Sequence, residues 1–286
     1  MSWSARVVSR VKSHAAQSLS FILLLDARSP PLTTVETPGL QPGAAAPAWL
    51  TALRQAHLHQ RAYIRGFFKE DDLHYDSSGA PLKRYHTTSW TVSQLEIEDI
   101  GLRKNDLVIS ADRLGLLFNA DAHKISAVRL HLIRLDVRLG PAAMSDARAQ
   151  QLWNALFIPA GPELTAAVPD YWRPFLESPS NSKPAAPPRK SPPLKPGMIA
   201  PHAVHAPDPK YNDLARELRI SGSIILTVTI EPDGSVDQIK IVQPMGLGMD
   251  EVAVDTVRQW RFRPATKDGV PVAWSAWVKI NFHLEH

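Results

Sequence analysis

The sequence has no cysteine among its 286 residues. Disulfide bonds, thiol nucleophiles and cysteine-ligated zinc are therefore excluded. The sequence also lacks a glycine-rich phosphate-binding loop, a Gly-x-Ser-x-Gly turn for a nucleophilic serine, and a zinc-protease motif. We therefore predict no catalytic residue, no cofactor and no enzymatic activity.

Candidate metal ligands are few, and no candidate pair has a third ligand nearby in sequence. The three candidate segments are His57-Leu58-His59, Asp121-Ala122-His123 and His202-Ala203-Val204-His205. A protein metal site needs at least three ligands held in a fixed geometry. Glu96 and Glu98 alternate along a predicted strand, which places both carboxylates on its solvated face. We predict no metal site and no acid–base pair.

Long apolar runs are also scarce. The run Leu19–Leu25 follows Arg6, Arg10 and Lys12, which is the outline of a secretory signal over residues 1–31. It is much shorter than the roughly twenty residues that span a bilayer. Two interpretations stay open, a weak export signal and a segment with no targeting role. The segment up to residue 48, rich in Pro, Gly and Ala, is predicted to be a flexible spacer.

The excess of one charge sign is small. There are 32 Lys and Arg residues against 28 Asp and Glu residues, which gives a formal net charge of +4, and 44% of the residues are hydrophobic. These values are typical of a globular protein. No basic patch interleaved with aromatic residues occurs, so we predict no nucleic-acid partner.

Proline divides the chain into two folded parts. Residues 178–197 combine many prolines with Lys183, Arg189, Lys190 and Lys195, a composition that favours an extended polyproline II spacer. We predict four segments: a targeting-like segment and spacer at 1–48, a β-rich domain at 49–177, a Pro-rich linker at 178–197, and a C-terminal domain at 198–286.

The N-terminal domain is predicted to be a mainly antiparallel β structure with one or two helices. Alternating apolar and polar residues predict six strands. Their ranges are Tyr63–Phe68, Asp72–Asp76, Lys83–Ile100, Asn105–Ala111, Leu114–Asn119 and Lys124–Leu139. Breaks in the alternation predict bulges near Gln94 and around Ile133-Arg134. Ser145 is expected to cap a helix that ends near Phe157.

The C-terminal domain is predicted to have the order α-β-β-α-β, so the whole chain belongs to the α+β class. Asp208-Pro209 is a helix start signal. Ile224, Leu226, Val228 and Ile230 alternate with polar or β-branched residues, and further strands are predicted at Val236–Val242 and Ala273–Leu284. Apolar residues from Met249 to Trp260 recur at helical spacing. We expect a three-stranded antiparallel sheet with two helices on one face.

The C-terminal part resembles a known family. The series Glu231-Pro232-Asp233-Gly234, Gly246-Leu247-Gly248-Met249-Asp250, Trp260-Arg261-Phe262-Arg263-Pro264 and Asp268-Gly269-Val270-Pro271 is similar in order and spacing to the TonB C-terminal domain, over about residues 196–286. The positions that carry the family motif are Tyr211, Gly222, Gly234, Gly248, Asp250, Trp260, Phe262, Pro264 and Gly269.

The resemblance implies a protein of the bacterial cell envelope or periplasm that couples proteins in transmembrane transport. In the family, the last strand accepts a short segment, the TonB box, of an outer-membrane transporter by β-augmentation. The matching positions are Trp274, Ser275, Ala276, Trp277, Val278, Lys279, Ile280 and Asn281. The family also implies an N-terminal membrane helix and inner-membrane motor proteins as partners. A homodimer stays an open alternative.

Two other functions remain open from the sequence. The first is a periplasmic scaffold without an energy-transducing role. The second is a carrier of an apolar ligand inside the β-rich domain. A deep apolar cavity within residues 50–177 would favour the carrier. An open edge at Trp274–Leu284 would favour coupling.

Overall fold

The longest strands of the chain lie side by side in one six-stranded sheet. The computed structural model describes residues 46–119, 124–177 and 194–283. The strands of this sheet are β1 (Arg61–Ile64), β2 (Asp72–Tyr75), β3 (Gln94–Arg103), β4 (Asp106–Asn119), β5 (Lys124–Arg138) and β6 (Phe157–Ile158). Their spatial order is β2-β5-β4-β3-β1-β6. All neighbours are antiparallel except β2 and β5, which run parallel. The mainly antiparallel prediction is confirmed.

Four helices accompany this sheet: α1 (Ala48–His57), α2 (Asp146–Leu156), α3 (Pro162–Ala167) and α4 (Arg173–Leu176). Helix α2 begins as predicted, because the Ser145 side chain accepts a hydrogen bond from the Arg148 amide. The prediction of one or two helices is too low, since it overlooked α1 and the two short helices. Helix α1 follows Pro47, which makes no side-chain cap.

The core of the N-terminal region lies between one face of the sheet and helices α1 and α2. Its fully buried side chains are Ile64, Leu73, Leu95, Ile97, Ile100, Ile109 and Leu135, with Leu53 and Leu156 from the helices. Burying apolar area at about 25 cal/mol per Å² is what holds the helices on the sheet. The side chains of this core are almost entirely inaccessible to solvent.

Two strand predictions need correction. Residues 83–93 are not a strand, because they form a loop and a 3-10 helix at Trp90–Val92 before β3 begins. The two predicted strands at Asn105–Ala111 and Leu114–Asn119 form the single strand β4. Bulges do interrupt the ladder. One lies at Ile97/Asp99, and the other lies where β4 shifts register at Arg113/Leu114 against β5.

The C-terminal region contains the predicted three-stranded antiparallel sheet. Its strands are β9 (Gly222–Ile230), β10 (Val236–Gln243) and β14 (Trp274–Phe282), in the order β10-β9-β14. Helix α5 (Asp213–Glu217) precedes the sheet, and α6 (Met249–Arg258) follows β10. Helix α5 begins later than predicted. Its cap is Asn212, whose side chain accepts a hydrogen bond from the Ala215 amide, and not Asp208.

Short strands complete the C-terminal region and were not predicted. They are β7 (Met198–Ile199), β8 (His202–His205), β11 (Arg261–Arg263), β12 (Ala265–Lys267) and β13 (Val270–Val272). β8 pairs with β11, and β12 lies between β7 and β13. Strands of two to four residues are too short to show an alternation pattern. The described residues of both regions belong to one compact unit.

Candidate peptide-binding edge and its surroundings

Strand β14 is formed by the predicted alternation of Trp274–Asn281. Ala276, Val278, Ile280 and Phe282 are buried, and the intervening side chains are exposed or half-buried. Every residue of the strand pairs in continuous register with β9, from Trp274 opposite Ile230 to Phe282 opposite Gly222. Burial of one face fixes this register, because a slip by one residue would turn the apolar side chains to solvent.

The other edge of β14 is unpaired among the described residues, since the strand is the last in its sheet. In an antiparallel pair, alternate residues direct their N–H and C=O groups away from the partner strand. Strand β14 therefore presents a row of free donors and acceptors, the arrangement that an added strand completes. Leu284, at the end of the predicted edge, lies outside the described residues.

The outer face of β14 carries Ser275, Trp277, Lys279 and Asn281. Trp277 is half-buried, whereas Ser275, Lys279 and Asn281 are exposed. Trp277 lies opposite Thr227 of β9, and Lys279 lies opposite Ile225. This face offers one aromatic surface and one cation near the free backbone. A function for these eight edge residues stays a prediction.

Several family-motif residues make contacts that join separate parts of the C-terminal region. Gly234 has φ +83°, and a Cβ there would lie 1.9 Å from the Phe262 carbonyl oxygen. The Phe262 amide donates to Gly234 O at 2.9 Å, which joins the β9–β10 turn to β11. Trp260 Nε1 donates to the Pro207 carbonyl, and the Tyr211 ring contacts Phe282 edge-to-face at 5.5 Å. These contacts join the β9–β10 turn to β11, Trp260 to Pro207, and Tyr211 to strand β14.

The remaining motif residues lie in surface strands, turns or the sheet. Gly222 begins β9, where a Cβ would lie 2.9 Å from Met245 Sδ. Pro264 separates β11 from β12. Gly269 has φ +83° in the turn between β12 and β13, with no atom within 4 Å of a Cβ position. Its role is therefore conformational freedom alone.

The segment Met245–Glu251 joins the C-terminal region to the N-terminal region, and we call it the junction. The Phe118 amide donates to Met245 O at 3.1 Å, and the Leu247 amide donates to Leu116 O at 3.0 Å. This pairing extends beyond the end of β3, whose first residue, Gln94, lies opposite Leu114. The junction thus occupies the edge of β4 that β3 leaves free.

Glycine is required in the junction. Gly246 has φ +92°, and a Cβ there would lie 2.0 Å from Leu116 O. Gly248 has φ +73° and precedes α6, and its amide donates to Thr91 Oγ1 at 2.9 Å. The glycines therefore allow two backbones to approach closely at this contact.

Two carboxyl groups are buried in the junction. Asp250 accepts hydrogen bonds from the Met245 and Gly246 amides at 2.9 and 2.7 Å, and its pKa is raised well above the ordinary value because it is fully buried. Glu251 Oε1 accepts from Ser89 Oγ and Trp172 Nε1, both at 2.9 Å. Burial also raises the pKa of Glu251, although these donors oppose the shift.

The partners of the junction were not predicted. Ser89, Thr91 and Trp172 lie far from it in sequence, so no local pattern indicates the contact. Trp172 also packs edge-to-face on Trp90, with ring centroids 5.0 Å apart.

Among the candidate metal ligands, Asp121 and His123 lie outside the described residues. His202 and His205 lie in β8, and His57 stacks on Trp153 with ring centroids 3.9 Å apart. Burial lowers the pKa of His57. Asp72, His74 and Asp136 form a cluster that the sequence did not indicate. It is held together by its own ion pairs, and Arg134 occupies one oxygen of Asp136.

A groove of about 330 Å³ lies on the N-terminal region, outside its main core. Its walls are apolar side chains of the sheet and of helices α3 and α4.

No helix in the described part of the chain is long and apolar enough to cross a membrane. Residues 1–45 and 178–193, which include the predicted targeting segment and most of the linker, lie outside the described residues. The predicted domain boundaries stay a prediction.

Comparison with known proteins agrees with the motif series. Residues 207–284 match the family described as Gram-negative bacterial TonB protein C-terminal. The chain is 31% identical over 78 residues to Protein TonB of Vibrio cholerae, covering 27% of this chain and 32% of that protein. It is 33% identical over 82 residues to Protein TonB of Escherichia coli K12, covering 28% and 34%. The chain thus spans about a third of the length of these relatives.

A solved structure gives a similar match. The solution NMR structure of Pseudomonas aeruginosa TonB CTD covers 32% of this chain and 91% of that chain, with 23% identity and a TM-score of 0.26. The family match coincides with the motif residues and with strands β9, β10 and β14 described above. Residues 207–284 of this chain are a TonB C-terminal domain.

Proposed function

We propose that the protein is a TonB-type coupling protein of the bacterial envelope, which binds an extended segment of an outer-membrane transporter along β14. In this role it performs no chemistry and acts in the periplasm. The observation that supports the proposal is the position of β14, a nine-residue strand at the end of its sheet whose second backbone edge has no partner strand among the described residues.

The surroundings of the sheet favour β14 over β10 as the receiving edge. Strand β10 lies beside the 3-10 helix Asp170–Trp172 and helix α4 of the N-terminal region. An added strand at β10 would meet these elements, whereas no element of the described N-terminal region lies as close to β14. Backbone pairing would supply affinity, and Trp277 and Lys279 would favour partners with an apolar and an acidic residue.

A titration calorimetry experiment tests the proposal. The full chain is titrated with a synthetic peptide that carries a transporter's TonB box, and we expect saturable binding. The control is the same peptide with alternate backbone amides N-methylated. Since N-methylation removes the donors of one peptide edge and keeps every side chain, it should abolish binding by β-augmentation.

Two outcomes would contradict the proposal. Equal affinity of the methylated peptide would mean that side chains, not the strand edge, recognise the partner. Absence of binding by several box peptides would favour the scaffold function, which needs no transporter contact.

A further inference from the structure

The groove lies on the face of the six-stranded sheet opposite the core. Ala62 and Ile64 point into the core, so Tyr63 between them points to the other face. Likewise Leu95 belongs to the core, while its neighbour Gln94 lines the groove. The groove is therefore a separate feature and not an imperfection in core packing.

Apolar side chains form most of the groove. Trp90, Leu116 and Leu164 are buried in its walls, and Phe175 and Ile125 are at least partly exposed along it. Ligand pockets are typically concave, about 300–1,000 Å³ in volume, and mainly apolar with a few polar groups. The volume of about 330 Å³ suits a small molecule with a short apolar body.

Two buried side chains in the lining have polar atoms without a partner among the described residues. They are Trp90 Nε1 and Gln94 Oε1, in residues that are 3% and 9% exposed. Buried polar atoms are nearly always hydrogen-bonded, so each such atom points to a missing partner. In the structure, Gln94 Nε2 donates to Tyr63 Oη at 2.7 Å.

Turning the Gln94 amide by 180° changes which hydrogen-bonding groups of the groove lack a partner. The amide oxygen and nitrogen of glutamine have nearly the same shape, so either orientation fits the same position. In the turned orientation, Tyr63 Oη donates to Gln94 Oε1, and Gln94 Nε2 becomes a free donor. The unpaired groups are then the Trp90 and Gln94 N–H groups, which both suit an anion.

A cation lies on the same face of the strands. Arg61 and Tyr63 are two residues apart on β1, and they lie opposite Glu96 and Gln94 of β3. Arg61 lines the groove, and its ion pair with Glu96 is long at 3.9 Å. Glu96 is also within 3.6 Å of Arg129. Arg61 is thus placed to receive a second carboxylate.

We propose that the groove binds a small amphipathic carboxylate, with its apolar chain along Leu116 and Leu164 and its carboxylate at Arg61 and the free N–H groups of the lining. A guanidinium group binds a carboxylate through parallel N–H donors. This binding site is independent of peptide binding at β14, since none of its lining residues belongs to the C-terminal region.

Octanoate is a suitable probe, and 1-octanol and octylammonium are matched comparisons with the same chain. Calorimetric titration of the full protein should give saturable octanoate binding, weaker octanol binding, and the weakest binding for octylammonium. Equal binding of octylammonium and octanoate, or no saturable octanoate binding, would overturn the proposal.

Two variants locate the site. Arg61→Gln should weaken octanoate binding about tenfold and leave octanol binding unchanged, because it removes a charge-assisted hydrogen bond. The control Arg103→Gln changes an exposed arginine outside the groove and should have no effect. Ala127→Phe should fill the groove and abolish binding of both ligands. Thermal unfolding verifies that each variant is folded, and wild-type octanoate affinity in folded Arg61→Gln and Ala127→Phe would refute the site.

Discussion

The two edges of the C-terminal sheet have different surroundings. Strand β10 lies beside the N-terminal region, and the junction that follows it is fixed by backbone pairing with β4 and by two buried carboxyl groups. Strand β14 has a free backbone edge among the described residues. The N-terminal region therefore anchors one side of the C-terminal sheet, and the other side keeps an edge without a partner strand among the described residues.

We expect substitutions on the anchored side, at β10 and the junction, to lower stability most. Gly246→Ala should have the largest effect. The new Cβ would lie 2.0 Å from Leu116 O at a residue with positive φ. We expect the free energy of unfolding to fall by about 3 kcal/mol, as measured by urea denaturation.

Gly269→Ala is the matched control for this substitution. It has a similar positive φ, but no atom lies within 4 Å of the Cβ position. It should cost only about 1 kcal/mol, the penalty of left-handed backbone. Equal losses for both variants would mean that the close approach at the junction contributes nothing.

Thr91→Val should have the next largest effect. It removes the acceptor of the Gly248 amide, which Thr91 Oγ1 binds at 2.9 Å in a fully buried position. An unpaired buried donor costs about 1–3 kcal/mol, so we expect a loss in this range by urea denaturation. The exposed Thr87→Val should change stability by less than about 0.5 kcal/mol. A Thr91→Val variant as stable as Thr87→Val would contradict the assignment.

The junction should also make stability depend on pH. Burial raises the pKa of Asp250 and Glu251 above their ordinary values of 3.8 and 4.5. The folded protein therefore binds these protons more tightly than the unfolded chain. The contribution of these groups to stability is fully present below the ordinary values and is lost as pH rises through the raised values.

Glu251→Gln tests this dependence, because glutamine does not titrate. The decline of stability with rising pH should become shallower, and the part due to Asp250 should remain. Urea denaturation at several pH values provides the measurement. The exposed Glu217→Gln should keep the wild-type profile. A Glu251→Gln profile that coincides with wild type would refute the role of this carboxyl group.

The free side should tolerate substitution best. Lys279→Glu alters an exposed residue on the outer face of β14, and we expect a stability change within about 0.5 kcal/mol. Affinity for a box peptide with an acidic residue should fall, while a peptide with lysine at that position should bind better. Unchanged preference between the two peptides would place Lys279 outside the binding face.

Local patterns predicted the sheet that contains the proposed edge. The alternation from Ile224 to Ile230 and from Trp274 to Phe282 indicates strands because one face is buried along the whole length. The Ser145 cap likewise marks the start of α2. Patterns of this kind depend on neighbours in sequence, so they can be recognised without the structure.

Long-range contacts could not be predicted in the same way. Gly248 was recognised as a motif residue, and Gly246 lies in the same motif series, but their contacts Thr91 and Leu116 in the N-terminal region are more than a hundred residues away. Helix α1 was overlooked because it has no capping side chain. The groove depends on which residues of β1, β3 and β5 become neighbours, and this depends on the strand order.

The most direct test of the account is to map backbone amide shifts in the full chain during titration with a box peptide. We predict saturable shifts in Trp274–Phe282 and the adjoining residues of β9, with little change in Val236–Gln243 and the junction. Shifts concentrated in β10 or the junction would contradict the conclusion that β14 is the receiving edge.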